Sequence, residues 1–267
     1  MIYDIRTSEK ALNTLVELTG VTKDIWTKHV SKTKEYQYTE ELIKDVVTRY
    51  GKLPSNYRDF DFIYFHVTTS KNGCQSIRKN GIFDLCMAYE CMDSELRMFL
   101  DNHGISIDLR RKLLIYKGDE YDISYAYGDR VPREGTKEYA CWSIGRKFYF
   151  DYTTCGFLSV WDRNPYGGQI HRRPEILMDI DNLLSLNLSR EWRTTFKPFE
   201  VVAKVSGENI VYPYYDSDNE EDKVLCYLTK AFDNAFGEPF EEIVLLKNGI
   251  QVPPSDILQI KPLEHWR

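Results

Sequence analysis

Two segments that lie far apart in the sequence carry the side chains best suited to chemistry. His66 closes the apolar, aromatic run FIYFHV, and hydroxyl residues follow it at positions 68–70. Glu242 stands immediately before the apolar residues 243–246. An imidazole can hydrogen-bond a sugar hydroxyl, and a threonine can fix the amide of an aromatic carboxamide. A carboxylate at the head of a strand can stabilise positive charge on a sugar carbon, or take a proton from an attacking nucleophile.

This combination suits cleavage of the nicotinamide–ribose bond of NAD, which passes through an oxocarbenium-like state and requires no metal. Each residue also has a simpler interpretation. His66 could merely satisfy a backbone carbonyl at a strand end, and Thr68 could be a turn or helix-cap residue. Glu238 and Glu241 compete with Glu242 for the catalytic role, because strand parity could point Glu241 inward instead.

Both segments resemble motifs of a known family. HVT at 66–68, followed by an isoleucine and by GI at 81–82, resembles the first motif of ADP-ribosyltransferases of the histidine class. These include the poly(ADP-ribose) polymerases, tRNA 2′-phosphotransferases and DarT-like bacterial toxins. EIVL at 242–245, followed by VPP at 252–254, is similar to the glutamate segment of the DarT-like group. The resemblance implies a split, mainly antiparallel β-sheet that grips NAD in a cleft.

The resemblance also implies roles for individual residues. It assigns His66 and Thr68 to NAD positioning and Glu242 to catalysis. The family places a tyrosine, or a Ser-Thr-Ser strand, near the nicotinamide, and the candidates for that position here are Tyr139, Ser143 and Tyr149. The FYF run that contains Tyr149 is the most family-like, so we expect Tyr149 to pack on the nicotinamide and Ser143 to contact NAD.

The rest of the chain supplies the elements that must position these residues. Residues 1–58 have the apolar spacing of three amphipathic helices, which predicts an N-terminal helical subdomain. Residues 59–267 form the predicted ADP-ribosyltransferase-like catalytic domain, of α+β class. Within it, FIYFHV, FLSVW and EEIVLL predict strands, as do KEYACWSIG and KFYFDY around a Gly-Arg-Lys turn. Helices are predicted over 70–80, 108–116 and 223–236.

Composition limits the partners. The net charge of −6 argues against nucleic-acid binding by bulk electrostatics, although basic clusters at 110–112 and 171–173 could each hold a phosphate. The five histidines and six cysteines show neither His-x-x-x-His nor Cys-x-x-Cys spacing, so we expect no metal site, and free thiols in a reducing cytoplasm. No run approaches about 18 uncharged apolar residues, so we expect no membrane span.

We therefore expect a cytoplasmic, NAD-dependent ADP-ribosyltransferase that releases nicotinamide and modifies a protein or nucleic-acid acceptor. By analogy with the family, we expect a toxin or phage-defence role, with an antitoxin or regulator as a further partner. Arg78, Arg172 and Arg173 are candidates for contact with the pyrophosphate. Two alternatives stay open: a non-catalytic binding module on the same fold, and a metal-dependent nuclease that uses Asp151, Glu175 or Glu200.

Overall fold

The structure, a computed structural model, describes residues 1–32, 36–125, 130–151, 153–160, 169–211, 219–237 and 240–264. The described residues form ten α-helices: α1 (Ser8–Thr19), α2 (Lys23–Val30), α3 (Thr39–Tyr50), α4 (Gln75–Asn80), α5 (Leu85–Glu90), α6 (Glu95–Asn102), α7 (Lys137–Tyr149), α8 (Ile176–Leu184), α9 (Leu188–Thr195) and α10 (Glu220–Phe236). They also form ten strands: β1 (Ile2–Tyr3), β2 (Asp61–Ser70), β3 (Ile105–Asp108), β4 (Leu113–Tyr116), β5 (Asp119–Asp122), β6 (Cys155–Ser159), β7 (Lys197–Ser206), β8 (Ile210–Val211), β9 (Glu242–Leu246) and β10 (Ile257–Pro262).

The main sheet has seven strands, in the order β10-β7-β2-β6-β9-β8, with β1 pairing in parallel with β2. β2 is antiparallel to β7 along its whole length, from Asp61 opposite Ser206 to Ser70 opposite Lys197. On its other side β2 is antiparallel to β6, which is antiparallel in turn to β9. The prediction of an α+β fold with a mainly antiparallel sheet is confirmed. Since two antiparallel pairings separate them, β2 and β9 run parallel, with β6 between.

Side chains alternate between the two faces of β2, as the pleat of a strand requires. Phe62 and Tyr64 belong to the main core, which also contains Leu15 of α1, Val46 of α3 and Val224 of α10. The N-terminal helices and the sheet therefore share one hydrophobic core. Ile63 and Phe65 point to the opposite face, where they form a smaller cluster with Phe157 of β6.

A second large core lies beside the sheet. It joins α7, α8 and α9 to the small antiparallel sheet β3-β4-β5. Ile144, Ile180, Trp192 and Leu114 are central members, and each is almost fully buried. This core supports the end of β2 that follows His66, because Trp192 hydrogen-bonds to Thr69.

The predicted strands KEYACWSIG and KFYFDY are wrong, because residues 137–149 form the helix α7. The buried residues Ala140, Cys141, Ile144 and Phe148 have helical spacing. Gly145 is not a turn residue: a Cβ at this position would lie 2.1 Å from the Ile123 carbonyl oxygen. The glycine therefore allows the backbone at Ile123 to pack closely against α7. The local sequence does not distinguish a glycine needed for packing from a glycine in a turn.

Two further element predictions need correction. Residues 108–116 were predicted to be helical, but they form the end of β3, a turn with Lys112 at a φ of 56°, and β4. The predicted helix over 70–80 starts only at Gln75, because β2 continues to Ser70. The Ser70 hydroxyl still has a local structural role, since it accepts a hydrogen bond from the backbone N–H of Cys74 at 2.8 Å.

Candidate functional site

His66 lies near the end of β2 and is half-buried. Its Nδ1 lies 2.9 Å from the Cys155 carbonyl oxygen. A carbonyl only accepts hydrogen bonds, so Nδ1 carries the proton, and Nε2 of the neutral ring is left as an acceptor. Burial lowers the pKa of His66 below its ordinary value of 6.5, an effect that the hydrogen bond to Cys155 opposes. The imidazole is therefore neutral at pH 7 and ready to accept a hydrogen bond from a hydroxyl group.

A cavity of about 170 Å³ opens at this end of β2. Its wall contains His66 and Thr68 of β2, Ile77 of α4, Glu95 of α6 and Trp192 of α9. Trp192 is fixed because its Nε1 donates to the Thr69 hydroxyl at 2.8 Å. The structure thus brings two of the predicted NAD-positioning residues, His66 and Thr68, to one concave site.

The two motif segments meet at the edge of this cavity. Ile82 and Val252 exchange backbone hydrogen bonds of 2.9 and 3.0 Å. Gly81 has a φ of 91°, and a Cβ there would lie 2.1 Å from the Val252 carbonyl oxygen. Gly81 is therefore required both for its backbone conformation and for this close approach. Residues 81–82 and 252–254, which belong to different motif segments, are therefore in direct contact.

Glu242 is the first residue of β9 and is buried. Its Oε1 lies 2.5 Å from Nζ of Lys230 on α10. Val244 and Leu246, which share its strand parity, belong to the main core. Glu241 has the opposite parity and is half-buried, and burial raises its pKa. The strand parity that the sequence left open thus places Glu242, and not Glu241, on the face that α10 covers.

His66 and Glu242 lie on the same face of the main sheet. His66 shares its parity on β2 with Phe62 and Tyr64, and these belong to the same core as the β9 residues on the side of Glu242. Two strand spacings, about 10 Å, separate β2 from β9, and the register places Val244 level with His66, so Glu242 lies two residues further along β9. Glu242 is not among the residues that line the cavity, whereas His66 is. A ligand that touches both must extend from the cavity across β6.

Tyr64 occupies the face between them. It is fully buried, and among the described residues its hydroxyl has no hydrogen-bond partner. Its ring packs on β6, where a Cβ on Gly156 would lie 2.4 Å from the Tyr64 Cδ2. Gly156 therefore allows an aromatic ring to cover the strand that separates His66 from Glu242.

Ser143 and Tyr149 do not reach the cavity. Both lie on α7, and Ser143 is buried beside Asp179. The Tyr149 hydroxyl donates to the Leu109 carbonyl oxygen at 3.3 Å. Both residues therefore lie on a helix and not on a strand, and the strand between His66 and Glu242 is β6.

Other predicted ligand contacts have local structural partners. Arg78 donates from Nε to the Gly73 carbonyl oxygen at 3.2 Å, and Arg173 is buried with Nη2 3.1 Å from the Met178 sulfur. Glu175 and Glu200 are paired with lysines. In the part of the chain that the structure describes, no three His, Cys, Asp or Glu side chains form a group that could hold a metal ion.

Sequence reasoning missed two residues of the cavity, Glu95 and Trp192. Glu95 begins α6 directly after the cap Ser94, whose hydroxyl accepts from the Arg97 N–H. A Ser-Glu pair in that position looks like an ordinary helix start. Trp192 stands among the polar residues SREWRTT, where a single aromatic residue indicates the buried side of a helix, so no local signal marks either one.

Burial of His66 gives folding stability a pH dependence. The folded-state pKa is lowered, so below about pH 6.5 the unfolded chain takes up the proton more readily. We expect the free energy of unfolding to fall as the pH falls from 7.5 to 5.5, and to fall less in His66→Gln. Urea unfolding of both proteins at the two pH values measures the difference, in which all other titrating groups cancel. Equal losses in the two proteins would contradict a neutral, half-buried His66 with a lowered pKa.

Comparison of the chain with protein-family models, with curated proteins and with solved structures found no match. Among the described residues, the helices are all too short or too polar to cross a lipid bilayer.

Proposed function

We propose that this protein is an ADP-ribosyltransferase that uses NAD as its substrate. The observation that carries the proposal is the placement of His66 and Glu242 on one face of one sheet, two strands apart, with a cavity at His66. The two residues are 176 positions apart in the sequence (242 − 66), so only the fold brings them to a common face. The resemblance of their segments to the histidine-class motifs supports the same conclusion.

His66 and Thr68 bind and orient the substrate in this proposal. Nε2 of the neutral His66 accepts a hydrogen bond from a ribose hydroxyl, and the Thr68 hydroxyl contacts the nicotinamide amide. Because the Cys155 carbonyl fixes the ring, the acceptor is oriented before the substrate arrives. NAD is the only cofactor that the proposal requires, and it is consumed.

Glu242 acts on the reacting carbon. The bond between ribose C1′ and the nicotinamide nitrogen breaks, and its electron pair leaves with nicotinamide. The Glu242 carboxylate stabilises the positive charge on the sugar and then takes the proton of the attacking acceptor, as C1′ bonds to the acceptor. Lys230 now pairs with this carboxylate and the Tyr64 ring covers β6, so both side chains must move before Glu242 can contact a substrate. The acceptor is a macromolecule, protein or nucleic acid.

Nicotinamide release from NAD by the purified full chain tests the proposal. We expect the rate of nicotinamide release to be proportional to the enzyme concentration. The ADP-ribose should be found attached to macromolecules of an added cell extract, or free in solution. The absence of nicotinamide release would contradict the proposal, whether or not NAD binds.

One observation favours a second function, a binding module without catalysis. Glu242 is buried and ion-paired, and it does not line the cavity that His66 lines. A module of this kind would bind NAD or a related nucleotide tightly and leave it intact. Saturable binding of NAD with no nicotinamide released over many hours would select this alternative.

A further inference from the structure

Glu95 places a carboxylate in the same cavity as His66. It is the first residue of α6 and is half-buried. Its Oε1 accepts a hydrogen bond from the backbone N–H of Lys71 at 2.9 Å. This contact ties Glu95 to the residue that follows β2, so the side chain is held beside the strand that carries His66 and Thr68.

The Glu95 carboxylate has acceptor capacity to spare. An ionised carboxylate offers about four lone-pair sites, and the Lys71 N–H occupies one of them. Among the described residues, no lysine, arginine or histidine forms an ion pair with Glu95. The Lys71 ammonium lies over the Phe196 ring instead, 5.8 Å from its centroid. A ligand that offers hydroxyl donors would therefore complete the bonding of the carboxylate.

The remainder of the wall defines the rest of that ligand. Phe83 and Ile77, both half-buried, provide aromatic and apolar surface suited to a flat heterocycle, and the almost fully buried Trp192 closes the wall behind them. His66 Nε2 is a further hydroxyl acceptor. The described lining contains no lysine and no arginine, so nothing in it compensates the charge of a phosphate. The chemistry of the cavity therefore fits the nucleoside part of a nucleotide, with the phosphates outside.

We infer that Glu95 is a specificity-determining residue whose carboxylate accepts hydrogen bonds from the 2′,3′-diol of a ribonucleoside bound in this cavity. The inference rests on the proposed function in one respect: the nucleoside is one half of NAD. Either half of NAD carries such a diol, so the experiment includes both adenosine and nicotinamide riboside.

Calorimetric binding to the full chain tests the inference. The ligands are adenosine and nicotinamide riboside, each compared with its 2′,3′-dideoxy analogue. Glu95→Gln keeps an amide oxygen for the Lys71 N–H but removes the charge. Glu90→Gln, at an exposed position on α5, removes the same charge outside the cavity.

We expect wild type and Glu90→Gln to bind at least one ribonucleoside about tenfold or more tightly than its dideoxy analogue, the size of effect that a hydrogen bond to a charged group produces. In Glu95→Gln that preference should fall by about threefold or more, and the remaining preference reflects the hydroxyl bound by His66. A diol preference unchanged by Glu95→Gln would overturn the inference, as would equal binding of both ligand forms or no nucleoside binding by wild type.

The outcome separates this inference from the proposed function. Diol-dependent binding that needs Glu95, in a protein that releases no nicotinamide from NAD, would overturn the transferase and leave the role of Glu95 in place. Nicotinamide release that is independent of Glu95, with an unchanged diol preference, would do the reverse.

Discussion

Glu242→Gln is expected to lower the rate of nicotinamide release from NAD by about 10²- to 10⁴-fold. Glutamine has nearly the same shape as glutamate, but it carries no charge to stabilise the sugar cation and cannot take the proton of the acceptor. It can still accept a hydrogen bond from Lys230, which is now 2.5 Å from the carboxylate. The binding of NAD should change little, so the loss should appear in kcat and not in KM.

Glu241→Gln is the matched control, because the neighbouring residue has the opposite strand parity and no contact with Lys230 among the described ion pairs. It should retain activity within a few-fold of wild type. Steady-state measurement of nicotinamide release, with a thermal unfolding curve for each variant, gives both comparisons. A Glu242→Gln protein that remains folded and fully active would remove Glu242 from the mechanism.

Trp192→Ala is expected to lower the free energy of unfolding by about 3–5 kcal/mol. Trp192 is 1% exposed, its ring stacks on Phe196 with centroids 3.5 Å apart, and Phe99 packs edge-on at 4.9 Å. The substitution also leaves the buried Thr69 hydroxyl without its donor. Since Trp192 forms part of the cavity wall, ligand binding should weaken along with the fold.

Trp192→Phe serves as the reference for this prediction. It keeps an aromatic ring between Phe99 and Phe196 but loses the hydrogen bond to Thr69, so a smaller loss of about 1–2 kcal/mol is expected. Urea unfolding followed by circular dichroism measures both. An alanine variant within about 1 kcal/mol of wild type would show that the second core does not depend on this side chain.

The elements that the sequence predicted correctly have strong local signals. In α1 the apolar spacing is flanked by Thr7, whose hydroxyl accepts a hydrogen bond from the Lys10 N–H, and by Gly20 at a φ of 72°. The long apolar run of β2 and the EIVLL strand of β9 are equally clear. The errors fall where local signals conflict. Gly145 was predicted to be a turn residue, but it permits packing of α7 against Ile123, which is distant in sequence.

Only the two ends of the candidate site, at His66 and at Glu242, could be predicted from the sequence. The types of His66 and Glu242 and their positions beside strands could be read from the sequence, but their shared face depends on the order β2-β6-β9 and on strand parity. No local pattern contains that order. Glu95 and Trp192 enter the cavity through the packing of α6 and α9, and for the same reason they were not foreseen.

The ion pair between Lys230 and Glu242 is the feature of the structure that the transferase proposal must accommodate. Breaking this ion pair separates a carboxylate from the ammonium group that now compensates its charge. The Lys230 side chain is 27% exposed. That partial exposure lowers the cost of separating the pair, because water can solvate the released ammonium. Rotation of the Lys230 side chain can therefore release Glu242 while α10 keeps its buried residues in the main core.

The most direct test is a crystal structure of the full chain with a non-hydrolysable NAD analogue. We predict one dinucleotide that contacts both His66 and Glu242. A ribose hydroxyl lies about 3 Å from His66 Nε2, and C1′ of the nicotinamide ribose faces a Glu242 that has separated from Lys230. A ligand bound elsewhere on the molecule would contradict the proposed function. So would a ligand bound at His66 while Glu242 keeps its ion pair with Lys230.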